Sequence, residues 1–209
     1  MTDFADLVRG YDRFRSTGWR EQRERWAELS QGQAPQVMII ACSDSRVDPA
    51  QIFDTSPGET FVVRNVANLV PPYEAGGGRH GVSAALEFAV TQLEVPEIVV
   101  LGHESCGGVK ASATRAFSGQ APGEGGFIAH WIDLLDEARD RIVAEHGTGG
   151  EAIHALELET VRVSLANLRT FPFVAEREAA GKLTLHGAYF AIADGMLRIM
   201  DAGGAFRAA

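Results

Sequence analysis

Val37-Met38-Ile39-Ile40-Ala41 is an unbroken apolar run after a stretch containing Gly32 and Pro35, and Cys42-Ser43-Asp44-Ser45-Arg46 follows it directly. A strand with one wet face alternates apolar and polar residues. A run without alternation suits a strand buried on both faces, as in a parallel sheet. Thr60-Phe61-Val62-Val63-Arg64 is a second candidate strand, Ile98-Val99-Val100-Leu101-Gly102 a third, and Lys182 to His186 a weaker fourth. From Gly81 to Leu93, the residues Val82, Leu86, Ala89, Val90 and Leu93 fall on one helical face. Phe127 to Glu145 and Glu151 to Leu168 also read as long amphipathic helices, while Gly119 to Gly126 and Gly147 to Gly150 read as loops. Strands alternating with helices predict an α/β fold: a central, mainly parallel β-sheet flanked by helices.

Ahead of this pattern stands a segment of another kind. Phe4, Leu7, Tyr11, Phe14, Trp19 and Trp26 recur at helical spacing among charged residues, with Gly18 as an interruption. This predicts an N-terminal helical arm over residues 1–30 and a single α/β domain over 31–209. Large aromatics on a terminal arm pack on their own core or on a neighbouring subunit. The 209 residues are 45% hydrophobic and 22% charged, which is globular composition and excludes a disordered chain. A net charge of −9 argues against nucleic acid or an anionic membrane surface as partner, because binding phosphates takes clustered Lys and Arg. No apolar run is long enough for a transmembrane helix, and the acidic start MTDFADLVRG does not read as a signal peptide, so a soluble, cytoplasmic protein is expected. Gly76-Gly77-Gly78-Arg79-His80-Gly81 satisfies G-x-G-x-x-G, but Pro71-Pro72 stands where a dinucleotide site needs a strand, so it reads as a loop.

The chemistry collects at the ends of the strands. Cys42 follows the first strand, and His103-Glu104-Ser105-Cys106-Gly107-Gly108 follows the third. Ligands of open parallel sheets bind outside the carboxyl ends of the strands. If the two strands are neighbours, both cysteines of the chain meet one histidine. Two thiolates and an imidazole form a good zinc set, and the soft sulfurs argue against magnesium or calcium. Three protein ligands leave a fourth position open, as in catalytic rather than structural sites. Asp44 and Arg46 lie two and four residues beyond Cys42, on one face if the segment is extended. Asp44 could close the site as a fourth ligand. Alternatively Arg46 could hold it off, leaving it as an acceptor for a metal-bound water. Two thiolates donate more charge than neutral imidazoles, so such a water should be less acidic than in a three-histidine site, which favours activity at alkaline pH.

Cys42-Ser43-Asp44-Ser45-Arg46 together with His103-x-x-Cys106-Gly107-Gly108 resembles the β-class carbonic anhydrases. The resemblance extends to Pro57-Gly58-Glu59, Arg64-Asn65-Val66-Ala67-Asn68, Glu87-Phe88-Ala89-Val90 and Ser164-Leu165-Ala166-Asn167-Leu168, and spans roughly Gln33 to Tyr189. It implies reversible hydration of carbon dioxide to bicarbonate and a proton by zinc-bound hydroxide, with one Zn2+ per subunit on Cys42, His103 and Cys106. It implies Asp44 and Arg46 as the catalytic pair. It also implies a homodimer, or a dimer of dimers, whose N-terminal arms embrace the partner and whose active-site cleft lies at the dimer interface.

The family has an open type and a type that Asp44 can close, the latter coupled to a bicarbonate site built around a tryptophan, an arginine and a tyrosine. Arg64 is present and Tyr189 is a candidate tyrosine, but Ile39 stands at the tryptophan position. Gln33, Phe61 and Val66 match pocket positions of the plant-like open type, Phe88 replaces a tyrosine there, and Gly107 would offer its backbone N–H to substrate. The open type is therefore expected. Two other readings compete: a hydrolase of carbonyl sulfide or carbon disulfide on the same zinc, and a non-catalytic zinc protein with Asp44 as permanent fourth ligand. A redox pair of Cys42 and Cys106 is a more remote reading. His80, His130, His146, His154 and His186 are the remaining candidates for a proton shuttle.

Overall fold

The structure is a computed structural model that describes every residue except Met1, Gly77 and Arg79. Two positions of the G-x-G-x-x-G stretch therefore lie outside the described residues. The chain divides into two compact units, Met1–Ala34 and Pro35–Ala209.

The first unit holds three helices, α1 (Phe4–Ser16), α2 (Gly18–Glu21) and α3 (Arg23–Leu29). Asp3 caps α1 in a reciprocal capping box with Asp6. Phe4, Leu7, Val8, Tyr11 and Phe14 are all exposed, although Phe14 also meets Trp26 of α3 edge-on at 5.8 Å.

The second unit is built on β1 (Val37–Cys42), β2 (Thr60–Asn65), β3 (Glu97–His103), β4 (Thr184–Ala191), β5 (Met196–Met200) and β6 (Phe206–Ala208), in the order β2-β1-β3-β4-β5-β6. The first four run parallel, and β5 and β6 add an antiparallel edge. β1 pairs with β2 on one side and with β3 on the other. The chain thus leaves the carboxyl ends of β1 and β3 in opposite directions, which opens a crevice between them. The unbroken apolar runs have the predicted cause: Met38 and Ile40 face one core cluster, and Ile39 and Ala41 face another.

The helices of this unit are α4 (Pro49–Ile52), α5 (Gly81–Glu87), α6 (Gly107–Thr114), α7 (Gly126–Ile132), α8 (Asp136–His146), α9 (Gly150–Leu168) and α10 (Pro172–Ala179). α9 packs closely on the sheet because two strands carry glycine beneath it. A Cβ at Gly102 would come within 2.7 Å of Val161, and one at Gly187 within 2.9 Å of the same side chain. Gly102→Ala is expected to destabilise the fold by about 1–3 kcal/mol through overpacking. In thermal unfolding that is a fall in Tm of roughly 3–10 °C, and an unchanged Tm would show that α9 can shift away from the sheet.

Several elements differ from the sequence pattern. The helix expected over Phe127 to Glu145 is two helices joined by a 3-10 turn at Asp133–Leu135. Ile132, Leu135 and Ala138 are all buried at steps of three. The tighter 3-10 winding, at three residues per turn, aligns such steps more closely than the 3.6 of an α-helix. The helix from Gly81 ends in a π-turn over Phe88–Gln92, where Leu93 N–H reaches Phe88 O at 3.0 Å. The fourth strand starts at Thr184 rather than Lys182 and runs on to Ala191 through Gly187-Ala188-Tyr189-Phe190, a stretch without polar alternation. α10 and the β5–β6 hairpin had no clear signature.

Candidate metal centre

Cys42 ends β1 and His103 ends β3, so the crevice between these strands receives both. Cys106 is the N-cap of α6, reached through a turn in which Ser105 takes a left-handed φ of 57°. The Sγ atoms of Cys42 and Cys106 lie 3.9 Å apart, and the donor atoms of Cys42, His103 and Cys106 all lie within 4.8 Å of one another. All three residues are buried. His103 places Nδ1 at 2.8 Å from the Glu104 carbonyl. That contact fixes the proton on Nδ1 as a donor and leaves Nε2 as a lone pair. Nε2 is buried and has no partner. An orphaned imidazole nitrogen beside two free thiols is the donor set of a zinc site, so these residues fit the metal.

With no metal between them, the two sulfurs share one proton, and the negative charge falls on Cys42. The Cys42 thiol is pulled down, first by the hydrogen bond shared with Cys106 and against its burial, with help from His103 and from the backbone N–H groups of Asp44 and Ala67. Sharing that proton with Cys42, and then burial, push the Cys106 thiol up, while the N–H groups of Gly108 and Val109 work the other way. Ala67 adopts a left-handed φ of 64° beside Asn68 at 48°, a conformation that costs an alanine about 1–2 kcal/mol. Asn65 holds this turn closed, accepting from Leu69 N–H and donating to Leu69 O, both at 2.9 Å.

Asp44 and Arg46 form a forked pair beside the cluster. Arg46 Nε donates to Oδ1 at 2.9 Å, its NH2 to Oδ2 at 2.7 Å, and its backbone N–H to Oδ1 at 3.0 Å. The same guanidinium also donates to Ser105 O at 3.0 Å. Arg46 first, and against burial, holds the Asp44 carboxyl well below the usual carboxylate range.

Arg64 is engaged with the loop after β1. It donates to the carbonyls of Cys42 at 2.9 Å and Asp44 at 2.7 Å, and to the Asp48 carboxylate at 3.1 Å. Tyr189 points to the α9 side and donates to Glu157 at 2.8 Å, while Phe190 packs in the cluster with Ile39 and Ala41. Arg64, Ile39 and Tyr189 therefore do not converge as a bicarbonate pocket within this chain.

The pocket residues taken from the resemblance are distributed unevenly. Val66 lies at the site: its Cγ1 would be 2.6 Å from a Cβ on Gly108, and its carbonyl accepts from Trp131 at 2.8 Å. Gly107 opens α6, with open space where a side chain would be. Phe61 and Phe88 meet each other at 6.0 Å between ring centroids. Phe61 stands four residues before Asn65 on β2, so it lies about 13 Å along the strand from the metal-site end. Gln33 is exposed and belongs to the first unit. Among the described residues, none of the other five histidines joins the metal cluster. His130 pairs with Asp133, His186 with Glu97, and His154 with Tyr189.

Sequence reasoning missed Glu157. It is 2% exposed, accepts the Cys106 backbone N–H at 3.0 Å and accepts the Tyr189 hydroxyl. Burial and then Glu157 raise the Tyr189 pKa, so the hydroxyl keeps its proton. The available signal was a charged residue on the apolar stripe of a helix, in register with Thr160, Val161 and Ser164.

A family model described as carbonic anhydrase matches residues 37–197. The chain is 39% identical to a carbonic anhydrase of Pseudomonas aeruginosa over 197 residues, covering 94% of this chain and 87% of that one. It is similar to the solved structure of the β-carbonic anhydrase CcaA, with a TM-score of 0.89 and 32% identity over 97% of this chain and 90% of that one. It is also similar to one of two tetrameric β-carbonic anhydrases from Sordaria macrospora, with a TM-score of 0.78 and 27% identity over 95% and 97%.

Proposed function

The chain belongs to the β-class carbonic anhydrases, zinc enzymes that hydrate carbon dioxide reversibly to bicarbonate and a proton, and from that premise we propose how its own residues divide the work. Cys42 Sγ, Cys106 Sγ and His103 Nε2 hold the zinc. When bound there, zinc would supply Lewis acidity that makes a nucleophile from water near neutral pH.

Arg46 keeps Asp44 out of the fourth coordination position, which three protein ligands leave open. Its fork uses two lone pairs on Oδ1 and one on Oδ2, so Oδ2 retains one acceptor site. Asp44 is ionised across the physiological range and serves as that hydrogen-bond acceptor, orienting the proton of the group that occupies the open position. The first residues of α6 have no intrahelical acceptor for their N–H groups. Those of Gly108 and Val109 face the Cys106 sulfur, which leaves the Gly107 N–H for a substrate oxygen. Val66 supplies an apolar wall for a gas molecule.

The observation that carries the open-site reading is the fork from Arg46 to Asp44; among the described residues, Arg64 is engaged with the loop after β1 and Tyr189 with Glu157, and they do not converge with a tryptophan. Stopped-flow hydration on zinc-quantified protein from about pH 6.5 to 9 tests it. The rate should rise smoothly with pH. A sharp collapse below neutrality would mean that Asp44 closes the site.

A homodimer, or a dimer of dimers, completes the reading. The apolar face of α1 lies exposed, which supports an arm that embraces a partner. Phe61, Phe88 and Gln33 would line substrate if a second copy brings them to the crevice. Among the described residues, no helix is long and apolar enough to cross a membrane. Two free thiol ligands suit a reducing compartment, which supports a cytoplasmic location.

A further inference from the structure

One buried charged group has no part in the chemistry above. Glu157 on α9 accepts from Cys106 N–H through Oε1 at 3.0 Å and from the Tyr189 hydroxyl through Oε2 at 2.8 Å. His154 covers it, with Nδ1 at 3.2 Å from the Tyr189 oxygen and its ring edge-on to the tyrosine. A buried carboxylate is unfavourable unless its oxygens are hydrogen-bonded, and here both are.

What the carboxylate holds is specific. The peptide joining Ser105 to Cys106 follows a residue at a left-handed φ of 57° and precedes the N-cap of α6. Its carbonyl accepts from Arg46 at 3.0 Å, and its N–H donates to Glu157. The peptide plane is therefore gripped from both ends: by the guanidinium that restrains Asp44, and by a carboxylate anchored on α9 and β4. Rotating this plane would move the Cys106 sulfur and the Arg46 fork together.

We infer that Glu157 is a positioning residue of the metal centre, fixing the Ser105–Cys106 peptide so that a metal ligand and the Asp44–Arg46 pair keep one relative geometry. This rests on the reading of Cys106 as a zinc ligand. The role requires reach rather than charge. Gln at 157 keeps an oxygen at the Cys106 N–H, and its amide can donate to the Tyr189 oxygen instead of accepting from it. Asp keeps the charge and loses one methylene of reach.

The experiment compares Glu157→Gln and Glu157→Asp with wild type, each purified with zinc. Zinc loss to a chelator is followed, and the cobalt-substituted proteins are examined for thiolate-to-cobalt charge-transfer absorption. Glu157→Gln should retain zinc within about threefold of wild type and keep the absorption. Glu157→Asp should release zinc about 10–100-fold faster, with weakened absorption, the range seen when outer partners of metal ligands are lost. Wild-type behaviour in Glu157→Asp, or equal damage in both variants, would overturn the inference. So would a Glu157→Gln chain that fails to fold, since the fold rather than the metal ligand would then need the residue. Wild-type protein unable to hold one zinc per chain would instead overturn the metal-site reading itself.

Discussion

Cys42→Ser is expected to abolish zinc retention and carbon dioxide hydration while leaving the chain folded. The three donors converge without rearrangement, so removing one thiolate removes a third of the ligand set and one of two soft donors. A serine hydroxyl does not ionise near neutrality and binds zinc poorly. The loss of affinity should exceed the roughly 10–100-fold that follows when an outer partner of a ligand is lost. The fold should survive, because Ser is nearly isosteric and its oxygen can accept from the Asp44 and Ala67 N–H groups that now face the sulfur. Two measurements check this: zinc per chain after dialysis, and the response of Tm to added zinc. A ligand that binds only the native state raises Tm with concentration. Wild type should show that rise and the variant should not. A Cys42→Ser protein that keeps one zinc per chain and its activity would remove the cluster from the mechanism.

The ligands were legible in the sequence for a physical reason. A short unbroken apolar run rich in β-branched residues suits a strand buried on both faces, and the first polar residues after such a strand sit at the carboxyl end of the sheet. Cys42 and His103 occupy those positions, and the neighbouring pair β1 and β3 brings them together. Glu157 was not legible, because it lies 51 residues beyond Cys106, and nothing local shows that α9 crosses behind α6 at that point. The β5–β6 hairpin escaped notice because its strands are short and charged residues interrupt them. Phe61 and Phe88 show a different limit. A resemblance can name pocket residues, but the spacing of a single chain puts these two at the far end of β2.

Asp44→Asn is expected to lower kcat/KM by about 10²–10³-fold, the range for loss of one preorganised hydrogen-bonding group at a reacting centre, with zinc still bound. The amide keeps the shape of the carboxylate and loses its charge, so a fall in rate reports chemistry rather than collapse. Stability gives little room for another explanation. Asp44 is depressed below its unfolded pKa, so any stability it contributes is present above the ordinary carboxylate range and is lost only as pH falls through the folded value. The Arg46 side chain is 48% exposed, and solvent screening keeps the contribution of such a pair to stability small. Between pH 6.5 and 9 the carboxylate does not titrate, so the pH dependence of wild type cannot come from Asp44. Arg46→Ala should behave differently. It frees both carboxylate oxygens and unpins Ser105 O, so Asp44 can turn to the fourth position on the metal. That variant should hold zinc at full stoichiometry, lose most of its activity, and no longer bind small anions at the metal. Asp44→Asn should keep anion binding, because a neutral amide competes weakly for zinc. If Arg46→Ala retained both activity and anion binding, Arg46 would be an exposed ion-pair partner and not the restraint that keeps the site open.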